Sequence, residues 1–169
     1  MILILGGARS GKSRFANELA KKQCRRVAYI ATAPMCDKEM KQRVRLHKRS
    51  RPRTWVTVEA QSNPLPQLKK LPKTCDGAIF ECIATYVSNL MFEDYSDPQI
   101  INNAAAVLKT LTAAKKKVFI VSNEVGGGVV PDTETGRRFR DIVGSINQLI
   151  SKKADEVYLV VAGLPLRIK

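Results

Sequence analysis

A glycine-rich segment near the start of the chain has the residue types and spacing of a phosphate-binding loop. Residues 6–13 read G-G-A-R-S-G-K-S and match the pattern G-x-x-x-x-G-K-[ST]. An apolar run precedes this segment and a stretch with helical spacing follows it, so its backbone N–H groups and the positive end of the helix can face phosphate oxygens. We expect Lys12 to neutralise the β- and γ-phosphates of a nucleotide and the Ser13 hydroxyl to bind Mg²⁺.

Two acidic residues that follow apolar runs are candidates for the carboxylate that such a loop needs near its metal ion. Glu81 ends the run 77–81, and its structural alternative is the capping of a turn. Glu124 follows the run 118–122, and its alternative is a place in a mobile loop, because three glycines follow at 126–128. We predict that Glu81 faces the metal or the nucleotide, and for Glu124 both alternatives stay open.

The only histidine of the chain lies in its most basic segment. Residues 41–53 read K-Q-R-V-R-L-H-K-R-S-R-P-R and hold seven basic residues and no acidic one. If this segment is helical, His47 shares a face with Met40, Val44 and Arg51. Neighbouring cations disfavour the imidazolium form, so the ring keeps a lone pair for nucleophilic attack while the cations bind phosphate oxygens.

The alternative is a basic helix that binds nucleic acid, with an incidental histidine. The chain has 29 Lys and Arg residues against 15 Asp and Glu residues, a net charge of +14, which predicts a strongly anionic partner. Trp55 is the only aromatic residue near the basic segment, although single-stranded nucleic-acid sites usually stack bases on aromatic side chains. From the residues alone, both alternatives stay open.

These candidate residues require elements that bring them together, and short apolar runs alternate with stretches of helical spacing along the whole chain. Nearly unbroken apolar runs are typical of buried parallel strands, so the pattern predicts an α/β fold with a mainly parallel sheet and helices on both faces. The predicted strands are 2–5, 27–31, 77–80, 118–121 and 156–162. The predicted helices are 12–23, 37–49, one from Asp97-Pro98 that buries Ile101, Ala104, Ala105, Leu108 and Leu111, and one after Asp132 that buries Ile142, Ile146, Leu149 and Ile150. Residues 62–74 are predicted to be a surface connection in which Leu65, Leu68 and Leu71 allow a short helix.

Length and composition exclude several classes of protein. With 169 residues, 44% of them hydrophobic, the chain is expected to form one globular domain over residues 1–169. No apolar stretch approaches the length of a membrane span, and the apolar start lacks the basic region of a signal peptide, so we expect a cytoplasmic protein with no membrane insertion. The four cysteines form no C-x-x-C pair, which favours reduced, packed thiols over a structural zinc site. They are Cys24, Cys36, Cys75 and Cys82.

A series of motifs resembles the bifunctional adenosylcobinamide kinase/adenosylcobinamide-phosphate guanylyltransferase family of cobalamin biosynthesis, the CobU family. The motifs occur in order over nearly the whole chain, which is far more specific than a phosphate-binding loop alone. They are G-G-A-R-S-G-K-S at 6–13, Y-I-A-T-A at 29–33, R-x-x-x-H-K-x-x-R-P-x-x-W at 43–55, E-C-I-x-T at 81–85, V-S-N-L at 87–90, V-S-N-E-V-G at 121–126, R-R-F-R-D at 137–141 and A-D-E-V-Y-L-V-V-A-G at 154–163.

The resemblance implies two reactions on one nucleotide site. Family members phosphorylate adenosylcobinamide with ATP or GTP, and then transfer GMP from GTP to the phosphate through a GMP–histidine intermediate. The family's histidine falls on His47, and we expect Lys48, Arg49 and Arg51 to stabilise the charge of the in-line transition state. The resemblance also implies Mg²⁺, held by Ser13 and Glu81, a corrinoid substrate and no nucleic-acid partner. The family's nucleotide contacts fall on Gly6, Gly7, Ala8, Arg9, Ser10, Gly11, Lys12, Ser13, Ala31, Thr32, Ala33, Lys48, Arg49, Ser50, Arg51, Glu59 and Glu81.

The resemblance further implies a RecA-like fold and a homo-oligomer, a trimer with nucleotide near the subunit boundaries. The sequence departs from the family at Ala33, where a polar residue is common, and in the short connection 60–74, whose counterpart in relatives is a candidate for shaping the corrinoid pocket. Two other functions remain as alternatives. One is a RecA-like ATPase that binds nucleic acid, and the other is a P-loop kinase for another small molecule without nucleotidyl transfer.

Overall fold

The structure is a computed structural model, and it describes residues 1–34, 42, 44, 45, 48, 49 and 51–169. Seven strands form one sheet in the order β3-β2-β4-β5-β1-β6-β7. Strands β1 to β6 are parallel to one another, and β7 is antiparallel to β6. The strands are β1 (Ile2–Gly6), β2 (Val27–Ala31), β3 (Val56–Glu59), β4 (Gly77–Glu81), β5 (Lys117–Asn123), β6 (Glu156–Val161) and β7 (Leu164–Arg167).

The strands predicted from apolar runs are all present, and the two that were not predicted lie at the edges of the sheet. In β3, half-buried and exposed residues alternate over only four positions, so no apolar run marks it. In β7, all four residues are exposed and Pro165 interrupts the pattern, as an edge strand allows.

Five helices with defined bounds connect and cover the strands. They are α1 (Lys12–Gln23), α2 (Leu65–Lys69), α3 (Ile83–Phe92), α4 (Asp97–Ala113) and α5 (Glu134–Lys153). The short helix allowed for the 62–74 connection is therefore confirmed as α2. Helix α3 was not predicted, because only Cys82 separates it from β4 and the two read as one apolar stretch. Of the helix predicted over 37–49, residues 42, 44, 45, 48 and 49 are helical, and the rest, with Cys36, lies outside the described residues.

The sheet is covered on both faces, as predicted. Alternate residues of β1 show the division, since Leu3 packs into the core under α3, α4 and α5, while Ile4 packs into the core under α1. The buried faces of α4 and α5 include residues that were not predicted, and some residues predicted to be buried are only half-buried. Helix α4 buries Ile100 and Val107 and leaves Ile101 and Ala105 half-buried, because α4 packs against α2 and α5 as well as the sheet. On α5, Val143 and Asn147 are buried and Leu149 is half-buried.

The described cysteines Cys24, Cys75 and Cys82 are free thiols, as expected. Among the described residues, no three or more histidine, cysteine, aspartate or glutamate side chains form a group that could hold a metal ion. No helix within the described ranges is long and apolar enough to cross a bilayer.

The Asp76 carboxylate stabilises the turn between α1 and β2 through hydrogen bonds, and we expect its contribution to stability to depend on pH. It accepts backbone N–H bonds from Arg25 at 2.9 Å and Arg26 at 2.8 Å, and these bonds lower its pKa below the ordinary value of 3.8. A lowered pKa stabilises the folded chain above the unfolded pKa, and that stabilisation is lost as pH falls through the folded pKa. We expect Asp76→Asn to reduce the free energy of unfolding by less than about 1 kcal/mol at pH 7, because the group is exposed. Urea titrations of both proteins between pH 7 and pH 3 should show this difference shrinking toward acid pH, and a constant difference would contradict the prediction.

Candidate active site

The loop between β1 and α1 is held in a conformation that glycine makes possible. Gly11 has a φ of +94°, in the left-handed region. A Cβ on Gly6 would lie 2.6 Å from the carbonyl oxygen of Val160, so the loop could not pass β6 with a larger residue there. The buried Lys12 side chain folds over the loop, and its Nζ donates to the carbonyl oxygen of Gly7 at 3.1 Å.

The turn between β6 and β7 supports this loop from outside, a contact that the sequence analysis did not predict. The backbone N–H of Gly163 donates to the carbonyl oxygen of Ser10 at 2.8 Å. Gly163 has a φ of +84°, and a Cβ on Gly11 would lie 3.2 Å from its Cα. The sequence shows this turn only as the final A-G pair of the motif at 154–163. Its contact with Ser10 could not be predicted because the two residues are far apart along the chain.

The carboxylate predicted to serve the metal lies against the loop. Glu81 is the last residue of β4, and its Oε1 accepts the hydrogen bond of the Ser13 hydroxyl at 2.5 Å. The other carboxylate oxygen, Oε2, is buried and has no hydrogen-bond partner among the described residues. Burial raises the pKa of Glu81, and the Ser13 hydrogen bond and the positive charges of Lys12 and Arg51 oppose that rise.

Ser13 and Glu81 together fit a magnesium ion. A hydroxyl and a carboxylate are the hard oxygen ligands that Mg²⁺ takes, usually with several waters and the phosphates of the nucleotide. The unpartnered Oε2 of Glu81 is the observation that supports this fit, because a buried carboxylate oxygen without a donor is costly unless a cation or water reaches it.

Arg51 lies against Tyr29 of β2, close enough to Glu81 for their charges to interact. Its guanidinium carbon lies 3.2 Å from the centre of the Tyr29 ring, and its Nη1 donates to the Thr57 hydroxyl at 3.3 Å. Burial lowers the pKa of Arg51, and burial followed by the charge of Glu81 raises the pKa of Tyr29, so the phenol stays neutral. Arg51 Nε is buried and has no hydrogen-bond partner among the described residues.

The predicted residues of the second and third strands have different surroundings. Glu59 ends β3 and pairs with Lys48, with Lys48 Nζ 3.1 Å from its Oε1, and both side chains are about half-exposed. Thr32 is fully buried, and its hydroxyl donates to the backbone carbonyls of Glu81 and Cys82, both at 3.0 Å, and accepts from the N–H of Cys82 at 2.8 Å. Thr32 therefore joins the ends of β2 and β4 behind the cavity wall.

A cavity of about 780 Å³ collects most of the predicted residues. Those lining it are Ala8, Arg9, Ser10, Gly11, Lys12, Ser13, Ala31, Ala33, Lys48, Arg51, Glu59 and Glu81. Gly6, Gly7, Thr32 and Arg49 are not among its lining residues, and His47 and Ser50 lie outside the described residues. The lining residues that the sequence analysis missed are Arg14, Tyr29, Val44, Gln61, Cys82, Thr85 and Asn123.

At the end of β5, the cavity is lined by Asn123 rather than by its neighbour Glu124. Glu124 is exposed, and its Oε1 accepts the backbone N–H of Gly126 at 2.7 Å, which agrees with the loop alternative. Register explains the difference: Asn123 pairs with Gly6 at the start of the phosphate-binding loop, and Glu124 is one residue beyond the sheet. The sequence analysis looked for a site residue directly after the apolar run of β5. Because β5 extends to Asn123, that position belongs to Asn123 and not to Glu124.

The site combines a strand, a glycine-rich loop and a helix with a buried carboxylate from a non-adjacent strand, and this carboxylate accepts a hydrogen bond from the loop serine. This combination defines a P-loop nucleotide-binding protein. Its fold is similar to that of a KaiC-like protein, PH0186 from Pyrococcus horikoshii OT3, with a TM-score of 0.53 and 10% identity over 94% of this chain and 69% of that chain. The fold is therefore RecA-like α/β.

The chain belongs to the family described as cobinamide kinase/cobinamide phosphate guanyltransferase, whose sequence profile matches residues 2–168. It is 40% identical to the bifunctional adenosylcobalamin biosynthesis protein CobU of Escherichia coli and 41% identical to that of Salmonella typhimurium, over all of this chain and 99% of each relative. It is 39% identical to the bifunctional adenosylcobalamin biosynthesis protein CobP of Pseudomonas aeruginosa, over 99% of this chain and 96% of that protein.

Proposed function

We propose that this chain catalyses two successive reactions at one nucleotide site. The first transfers the γ-phosphoryl group of ATP or GTP to the hydroxyl of adenosylcobinamide, and the second transfers GMP from GTP to the resulting phosphate to give adenosylcobinamide-GDP. Family membership supports the reaction class. The Ser13–Glu81 contact at the mouth of the phosphate-binding loop is the structural observation that carries the proposal, because it joins a P-loop to a buried carboxylate in the cavity.

The loop binds the phosphates and orients the nucleotide for both reactions. Lys12 exchanges its hydrogen bond to the carbonyl oxygen of Gly7 for one to a phosphate oxygen, so a cation that is already buried meets the ligand. Ser13 and Glu81 hold Mg²⁺, which supplies positive charge that neutralises the phosphates. For the kinase reaction, the substrate hydroxyl attacks the γ-phosphorus and releases its proton to solvent, the bond from that phosphorus to the bridging oxygen breaks, and the nucleoside diphosphate leaves with the electron pair.

For guanylyl transfer, a nitrogen of His47 attacks the α-phosphorus of GTP. The P–N bond forms as the bond to the bridging oxygen breaks, and pyrophosphate leaves with the electron pair. A phosphate oxygen of the acceptor then attacks the same phosphorus, the P–N bond breaks, and the imidazole is restored. Arg51 supports this assignment, since its guanidinium is fixed on Tyr29 inside the cavity and lies in the same basic segment as His47.

Lys48 and Glu59 form an exposed ion pair, and both side chains line the same cavity. An exposed pair of this kind is worth little to stability, so the two side chains can separate at small cost when a nucleotide arrives. Lys48 then meets phosphate oxygens together with Arg49, and Glu59 is free to accept hydrogen bonds from a base or an acceptor.

The alternative of a nucleic-acid-binding ATPase loses its one aromatic candidate. Trp55 is 9% exposed and packs in the core under α1, so it offers no surface on which a base could stack. The net charge of +14 and the basic segment 41–53 then remain as the features of that alternative.

We also propose a homo-oligomer, a trimer in the pattern of the family, acting in the cytoplasm. The edge strand β7 supports an oligomer, because Leu164 and Leu166 are 74% and 60% exposed on a short unpaired edge. Sedimentation of the purified protein should give three times the mass of the 18.8 kDa chain, and a monomer or a dimer would contradict the proposed trimer.

Labelled GTP tests the proposed reactions directly. Incubation with GTP labelled at the α-phosphate should leave an acid-labile, alkali-stable adduct on the protein, whereas GTP labelled at the γ-phosphate should leave none. Addition of adenosylcobinamide-phosphate should discharge the adduct. A P-loop kinase without nucleotidyl transfer would give γ-transfer to adenosylcobinamide and no adduct, and a nucleic-acid-dependent ATPase would hydrolyse nucleotide only when DNA or RNA is added.

A further inference from the structure

A second cavity opens beside the nucleotide cavity, and its walls are polar. It has a volume of about 450 Å³ and lies between the end of β3, the connection to α2 and the end of α3. Apart from Ala60, the residues that line it are polar, namely Glu59, Gln61, Ser62, Asn63, Gln67 and Glu93, and we call this cavity the acceptor groove.

The charge of the acceptor groove is opposite to that of the chain. The protein carries 29 basic residues, yet the residues described as lining the groove include two carboxylates, Glu93 and the Lys48-paired Glu59, and no lysine or arginine. Lys69, Lys70 and Lys73 belong to the same stretch of chain and are not among the lining residues. A groove of this composition disfavours phosphates and favours a ligand that is cationic and rich in hydrogen-bonding groups.

Amide and hydroxyl groups provide the remaining recognition chemistry. Gln61, Asn63 and Gln67 are exposed, and each carboxamide offers two donors and one acceptor oxygen. The Ser62 hydroxyl donates to the Glu93 carboxylate across the groove, which orients that charge. Carboxamides pair with other carboxamides through two hydrogen bonds, one given and one received.

The acceptor groove adjoins the nucleotide cavity. Glu59 and Gln61 line both. The wall between the two is fixed by Asn89 of α3, whose Nδ2 donates to the carbonyl oxygen of Thr32 at 2.8 Å and to that of Gln61 at 3.2 Å. A ligand in the groove can therefore extend one arm toward the phosphates bound at Lys12.

We propose that the acceptor groove binds the amide-bearing edge of the corrinoid macrocycle. The inference rests on the proposed function, which makes adenosylcobinamide and its phosphate the acceptors. That compound carries carboxamide side chains around its ring and a cobalt(III) centre that leaves it cationic, so it matches both the amides and the charge of the groove. Gln61, Asn63 and Gln67 bind ring carboxamides, Glu93 complements the cation, and the arm that ends in the hydroxyl or phosphate enters the nucleotide cavity past Glu59.

Variants of the groove separate acceptor binding from chemistry. Gln67→Leu removes an exposed carboxamide for which the described part of the chain shows no hydrogen bond, and Glu93→Lys reverses one charge. Gln148→Leu is the matched control, because Gln148 is also an exposed glutamine on a helix and lies on α5, away from the groove. Each protein is assayed for adduct formation from α-labelled GTP without acceptor, and for the KM of adenosylcobinamide-phosphate in the transfer step.

We expect both groove variants to form the adduct at the wild-type rate and to raise the acceptor KM, by about tenfold for Glu93→Lys and about threefold to tenfold for Gln67→Leu. The control variant should leave both quantities unchanged. A KM within twofold of wild type in both variants would overturn the groove assignment. If the wild-type protein forms no adduct, the proposed function fails separately, and equilibrium dialysis with adenosylcobinamide then decides the groove: weaker binding by the two variants supports it, and equal binding overturns it.

Discussion

Replacing His47 with alanine should abolish the α-labelled adduct and leave γ-phosphoryl transfer to adenosylcobinamide within a fewfold of wild type. Guanylyl transfer requires the imidazole to form a bond to phosphorus, and alanine supplies no nucleophile, so we expect its rate to fall by at least about a thousandfold. The kinase reaction uses the substrate's own hydroxyl, with Lys12, Ser13 and Glu81 as its machinery, so loss of His47 removes none of its groups. The measurement is labelling with α- and γ-labelled GTP on the same preparations.

A matched control for this variant lies in the same segment. Gln42→Ala changes an exposed, helical residue of the basic stretch and should label like the wild type. Equal labelling of His47→Ala and wild type would assign the nucleophile to another residue. Loss of both reactions in His47→Ala, with normal stability, would instead indicate that His47 acts on nucleotide binding.

Replacing Lys12 with methionine should lower both reactions together. Methionine keeps most of the length of the side chain and removes its charge, and Lys12 is the one cation of the loop that is buried beside the Glu81 carboxylate. A preorganised charge at this place is worth about a hundredfold to a thousandfold in rate. We therefore expect adduct formation and phosphoryl transfer each to fall by that factor in single-turnover assays, with thermal unfolding little changed.

Lys22→Met is the control for charge alone, because Lys22 is exposed in the last turn of the same helix. Its reaction rates should equal those of the wild type. A Lys12→Met protein that lost only one reaction would show that the two reactions do not share the loop, which would contradict the single-site proposal.

The phosphate-binding loop and its carboxylate could be predicted because their determinants are local. The loop needs a strand before it, a helix after it and glycines within it, and all three are readable from consecutive residues. Glu81 was predicted from the end of an apolar run, and its meeting with Ser13 follows because the carboxyl ends of parallel strands share one edge of the sheet. Glu124 shows the limit of this reasoning, since a strand that is longer than its apolar run moves the site side chain to Asn123.

Features that depend on pairs of distant segments were not predictable in the same way. The support of Ser10 by Gly163 joins the first loop to the last hairpin, and β7 itself has no apolar run. Arg51 was predicted as one of several phosphate-binding cations, but its stacking on Tyr29 is decided by the packing of β2 against the chain that leads into β3. No local pattern distinguishes Arg51 from its basic neighbours.

By itself, the sequence supplied the residues on which the proposed chemistry rests: a phosphate-loop motif, a candidate carboxylate at a strand end, and one histidine among cations. These depend on residue types at fixed short spacings, which a single chain displays directly. The tertiary structure alone decided that Arg51 is the cation of the basic segment that stacks on Tyr29, and that Asn123 lines the cavity at the end of β5. It also decided that an acidic, amide-lined groove adjoins the nucleotide cavity in a basic protein. The physical reason is that strand order, register and the packing of loops place residues next to each other that are tens of positions apart in the chain.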